Sequence, residues 1–180
     1  QNLDDEEDAL IFPSSSPELL LRASSLDVRV DSSPDDLTGS GTAYAEWTLE
    51  FFNRHPRERE AVCQILLPPG GVASRLTLWI EGEEREAAFG RRAVVTEAYE
   101  KIVRRRLDPA LLTEAGPDRV RLQCFPVPAH ATMQVKVGFT LPLIPDGDEF
   151  ALLLPYIAER NFAFAPDRWT AVTVYSGAPP

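Results

Sequence analysis

The sequence predicts a mainly β fold: a two-layer, sandwich-like pair of sheets with one principal α-helix over residues 91–106 packed on it. Three observations carry this reading. Segment after segment alternates apolar and polar residues with the period of two that a half-buried strand requires. Proline outnumbers glycine 16 to 10 and recurs at Pro68, Pro69, Pro109, Pro117, Pro126 and Pro128, which a helical bundle does not tolerate. Only one segment carries a helical apolar stripe. With 180 residues, 44% of them hydrophobic, the chain can bury one sizeable core, and two full domains do not fit.

Residues 1–18 are Asp/Glu-rich and then Ser/Pro-rich, a composition with too little apolar surface to offset ordering, so a flexible acidic linker is expected there and a single domain over 19–180. Regular structure should begin near Leu19. Leu26 to Val30 alternates, and a Ser/Pro/Asp/Gly stretch separates it from Ala43 to Phe52. In that second strand Ala45, Trp47, Leu49 and Phe51 share the face assigned to the core. Glu60 to Leu67 and Val72 to Ile80 supply two further strands, with Pro68-Pro69-Gly70-Gly71 as the stop between them. A turn over Glu81 to Glu84 leads to a short, charged edge strand from Arg85 to Phe89.

Val94, Val95, Ala98, Tyr99, Ile102 and Val103 then form one helical stripe, with Tyr99 expected against the sheet. Arg104, Arg105 and Arg106 fall in the last turn, where positive charge suits the carbonyl end of the helix. A short helical turn is expected at Leu111 and Leu112. Val120 to Phe125 reads as a strand in which a bulge or an edge position accommodates Pro126, and Met133 to Leu141 is the cleanest alternation in the chain. Phe150 to Leu154 and Trp169 to Tyr175 complete about eight strands.

Composition excludes several functions. Lys and Arg number 18 against 28 Asp and Glu, and a net charge of -10 repels phosphate backbones and anionic lipid, so no nucleic acid is expected as partner. No apolar run approaches the ~18 residues of a membrane span, so direct membrane insertion by this stretch is not expected. The start, Gln1-Asn2-Leu3, reads as the beginning of a piece of a larger polypeptide. His55 and His130 have no neighbour at metal-ligand spacing, no Gly-x-Ser-x-Gly elbow marks a nucleophile, and no phosphate-binding glycine loop occurs. No catalytic residue, cofactor or metal is expected. Asn2, Asn53 and Asn161 lack the hydroxyl residue of a glycosylation sequon. Cys63 and Cys124 lie in predicted strands, where they either fill core volume or form one disulfide.

The order Phe51-Phe52-Asn53, Glu60-Ala61-Val62, Leu66-Leu67-Pro68 with its glycine turn, and Leu76 to Gly82 resembles the first half of the VIT (vault protein inter-alpha-trypsin) domain. Arg92-Ala93 with Ala98-Tyr99-Glu100, Asp108 to Glu114, Val120 to Val127 and Val135 to Leu141 resemble its second half. The resemblance covers Leu26 to Tyr175. It implies a non-catalytic interaction or structural module of a larger, bacterial, extracytoplasmic or membrane-associated protein. The Asp-x-Ser-x-Ser metal motif of the von Willebrand A domain that commonly follows it in the family is absent here, and Arg104-Arg105-Arg106 stands where the family often has a small residue.

One partner surface is expected, with a less favoured alternative. Arg91, Arg92, Lys101, Arg104, Arg105 and Arg106, with Arg85, Arg119 and Arg121 nearby in sequence, concentrate positive charge in an acidic chain and suit an acidic partner. That partner is another domain of the parent, another protein, or the chain's own Asp4 to Asp8. The alternative is a glycan on an aromatic platform drawn from Trp47, Trp79 and Trp169, of which Trp79 has the better claim to exposure.

Overall fold

Apolar side chains spaced two apart can be buried together only if the backbone is extended and one face is covered. The alternating segments accordingly become strands. In the computed structural model, which describes residues 14–31, 41–80, 83–86, 88–90 and 110–176, these are β1 (Ser16–Asp31), β2 (Thr42–Asn53), β3 (Arg59–Leu66), β4 (Val72–Ile80), β5 (Glu83–Glu86), β6 (Ala88–Gly90), β7 (Ala110–Glu114), β8 (Arg119–Val127), β9 (Thr132–Pro142), β10 (Ile144–Asp146), β11 (Glu149–Ala151), β12 (Tyr156–Arg160) and β13 (Phe162–Ser176).

A six-stranded sheet has the order β13-β1-β2-β9-β4-β5, and a five-stranded sheet the order β12-β3-β8-β7-β6, with β10 and β11 as a separate hairpin. All pairs are antiparallel except β1 with β13 and β6 with β7. Leu49, Phe51, Leu76, Leu78, Val135, Val137 and Phe139 of the larger sheet share one cluster with Cys63, Ile65, Leu112, Leu122 and Cys124 of the smaller. Phe51 meets Phe162 edge to face, with centroids 4.9 Å apart. The face of the smaller sheet turned away from this cluster is buried as well, at Val62, Gln64, Leu111 and Thr113.

Two asparagines tie the strand ends. Asn53, the last residue of β2, donates its amide to the carbonyls of Arg57 and Val127 and accepts the His55 N–H. Asn161 is the single residue between β12 and β13, where the chain leaves one sheet for the other.

Several elements differ from the sequence reading. Regular structure starts at Ser16 instead of near Leu19, because Ser16 already bonds to the Asn161 carbonyl and pairs with Phe162. Glu83 and Glu84 belong to a strand, and the single edge strand expected over Arg85 to Phe89 is two, β5 on the larger sheet and β6 on the smaller. Leu111 and Leu112 lie in β7, not a helical turn: both are fully buried on opposite faces of a strand flanked on each side, and such a run has no periodicity to read. Of Phe150 to Leu154 only Phe150 and Ala151 are in a strand, and β12 was not foreseen. The bulge expected near Pro126 is present: Arg59 pairs with Val127 and Ala61 with Cys124, so β8 carries an extra residue where the Phe125–Pro126 bond is cis. The helix expected over 91–106 lies outside the described residues.

Candidate functional site

The sheets part at the edge formed by β12 and β13. Val172 and Val174 stand beside Leu26 and Val28 on the inner face of the larger sheet. Yet they are 53% and 59% exposed, against 5% and 0% for those neighbours. The smaller sheet ends here in β12, only five residues long, and does not reach them.

Nearer the start of β13 is an open groove of about 250 Å³ lined by Leu21 and Ser24 of β1, Trp47 of β2, Pro155 to Ile157, and Phe164, Arg168 and Thr170 of β13. Trp47 packs against the core and donates its indole N–H to Ser24 Oγ at 2.7 Å, which fixes the ring at the groove floor. Phe162 carries the aromatic contact outward from Phe51 to Phe164, 6.4 Å further on. Over the Phe164 ring lie two guanidinium groups, Arg160 at 3.9 Å and Arg168 at 4.2 Å from its centroid. Arg168 Nε also donates to Thr170 Oγ1 at 3.0 Å. Tyr156 is exposed at the rim.

Cations held over an aromatic face keep N–H donors directed at the surroundings, so this lining suits an extended segment with acidic and aromatic side chains. The groove lining contains neither a histidine nor a carboxylate. Among the described residues, no three of His, Cys, Asp and Glu converge as metal ligands would.

The residues singled out from sequence fall in three places. Arg91, Arg92, Lys101, Arg104, Arg105, Arg106 and Tyr99 lie outside the described residues. Trp47 points inward as expected, but only half-buried, into the groove. Trp79 is also half-buried, with Lys136 Nζ 5.2 Å from its ring centroid, and Trp169 is the exposed tryptophan. Cys63 and Cys124 are free thiols in the core. Cys63 pairs with Leu122 and Cys124 with Ala61, which makes the two cysteines diagonal neighbours, about 7–8 Å apart and too far for a bridge. Burial pushes the Cys63 thiol up to about 12, Arg121 opposing weakly, and raises Cys124 too, with Cys63 and Glu60 adding to it. Arg160, Phe164 and Arg168 were missed; their signal was the alternation Phe162-Ala163-Phe164 between two arginines, masked by Pro166.

The vault protein inter-alpha-trypsin domain family, VIT, matches residues 38–139, more than half of the 180. The chain belongs to the VIT family. Its match runs from before β2 to near the end of β9, so of the groove lining Trp47 alone falls within the matched part. Curated proteins show no match to this VIT chain. Among solved structures it is similar to an M1 zinc metallopeptidase from Deinococcus radiodurans, at 14% identity and a TM-score of 0.37, over 74% of this chain and 23% of that one. It is also similar to a protein from Legionella pneumophila described as nutrient-binding, at 9% identity and a TM-score of 0.42, over 73% of this chain and 42% of that one. The VIT chain thus spans less than half the length of either structure.

Proposed function

We propose that this VIT domain is a non-catalytic interaction module of a larger bacterial, extracytoplasmic or membrane-anchored protein, and that its β12–β13 groove receives an acidic, aromatic-containing extended segment from another domain of that parent. The observation that carries this is the pair of guanidinium groups stacked on Phe164 beside Trp47 and Tyr156. Family membership supports the module reading. The extracytoplasmic, bacterial setting rests on the family resemblance alone. In the same reading the fold is a two-layer sandwich.

The test uses an alternating Glu–Tyr decapeptide and an alternating Lys–Tyr decapeptide as probes, titrated at about 50 mM and 500 mM salt. The Glu–Tyr peptide should bind and weaken with salt, because exposed charge pairing is screened over about 8–10 Å near physiological ionic strength. Arg160→Ser with Arg168→Ser should lose at least tenfold. Equal binding of both peptides, or an unaffected double variant, removes the groove from the proposal. Turnover of an ester, peptide or nucleotide substrate that one point substitution abolishes would overturn the non-catalytic reading.

A further inference from the structure

We propose that β13 is a self-association strand: two copies of this chain pair antiparallel along β13, centred on Val172, and join their six-stranded sheets into one. The inference goes beyond the module reading and does not depend on it.

Among the described residues β13 has a neighbour on one side only, β1, so its other edge presents unpaired backbone N–H and C=O groups. Natural edges are usually guarded by charge, proline or a bulge. This one is guarded only at its start, by Pro166, Asp167 and Arg168; from Trp169 to Tyr175 it carries no charged residue and no proline. Apolar side chains are exposed on both faces. Trp169 and Tyr175 are 60% and 50% exposed on the outer face, and Val172 and Val174 are open on the inner one.

The register decides the occupant. Trp169 and Tyr175 are equidistant from Val172, so an antiparallel pair with its two-fold axis there sets Trp169 opposite Tyr175 twice on the outer face. On the inner face Val172 meets Val172, and Thr170 meets Val174. Cross-strand aromatic and β-branched pairs of this kind are the favourable ones. Shifting the centre by one residue to 171 would set Tyr175 opposite Asp167 and Trp169 opposite Thr173, losing both aromatic pairs. In the register centred on Val172 no charge meets a like charge across the strand pair, and both copies keep their outer faces on the same side, as a closed two-fold interface needs. Phe162 and Ala165, buried within the copy itself, stay outside the paired window.

The area sets a limit. Four side chains, two aromatic ones of about 150–250 Å² each among them, leave on the order of 400 Å² open per copy. Two copies with their backbone edges bury at most about 1,000 Å², the low end for a specific contact. A weak dimer is therefore expected, dissociating at roughly micromolar to millimolar concentration, with the constant set by the pairing and not by area alone.

Sedimentation equilibrium of the intact chain between about 1 µM and 1 mM tests this, a range spanning the expected constant. A concentration-dependent dimer is expected, together with amide exchange in 169–175 that slows as concentration rises. Val172→Lys places two ammonium groups on the axis at an exposed site and should shift dissociation at least tenfold, with the thermal melt of the monomer unchanged. Trp169→Ser with Tyr175→Ser should do the same from the other face, which guards against misfolding of the first variant. A monomer at every concentration overturns the proposal. So does a dimer indifferent to both variants, since its contact would lie elsewhere.

Discussion

Asn161 holds Val62 from both sides of its peptide: its side-chain Oδ1 accepts the Val62 N–H at 2.8 Å, while its own backbone N–H donates to the Val62 carbonyl at 3.0 Å. Its Nδ2 donates to the Glu60 carbonyl at 2.8 Å and its carbonyl accepts the Ser16 N–H. One residue therefore satisfies groups of β1 and β3 at the place where the chain changes sheets.

Asn161→Ala leaves the Val62 N–H and Glu60 C=O without their side-chain partner at a buried site. At about 1–2 kcal/mol for each orphaned group, the loss should be about 2–4 kcal/mol. Urea unfolding of the variant beside the native chain measures it; a change under about 0.5 kcal/mol would show that water replaces the amide.

Gly138 of β9 lies under the Tyr44 ring. A Cβ at that position would come within 2.5 Å of Tyr44 Oη and 3.1 Å of Arg75 Cβ. Gly138→Ala should cost about 1–3 kcal/mol, as overpacking generally does. Adding Tyr44→Phe removes the closest atom and should recover part of the loss. Stabilities of the two single variants and the double form a thermodynamic cycle, and strict additivity would refute the contact.

The buried thiols predict a pH dependence. A thiol that ionises near 9 when exposed is pushed up to about 12 at Cys63 in the folded chain. Between those values the unfolded chain has released a proton that the folded one retains. The contribution to stability is therefore complete below pH 9 and is lost as pH rises towards 12. Cys124 and Tyr44, both also raised, act in the same direction. Denaturation midpoints at pH 7, 9 and 10.5 should fall in that order, and less steeply in Cys63→Val. The native thiols should also resist a thiol reagent at pH 8 that labels both in denaturant.

Where one face of a strand is buried and the other wet, the alternation could be read directly. Val72 to Ile80 has the bounds expected of it, and Met133 to Leu141 lies within β9. Where both faces are covered the signal vanishes, as at Leu111 and Leu112. The five residues of β12 fall below the length at which a pattern is distinguishable from chance. The groove was illegible for another reason: Trp47 and Arg168 are 121 positions apart, and only the pairing of β1 with both β2 and β13 brings their strands together. Trp47 alone was visible, as an inward-facing aromatic.

The parallel pairing of β1 with β13 has a mechanical meaning. Ser16 lies beside Phe162 and Val30 beside Ser176, so the first and last described strands enter and leave at opposite poles, about 50 Å apart at the usual rise per residue. Tension applied at Ser16 and Ser176 would slide the two strands past each other instead of peeling them apart. Their backbone bonds would then carry the load together rather than one after another. A fold wired in this way resists being stretched along its long axis, and it yields far more readily to a pull directed across the β13 edge.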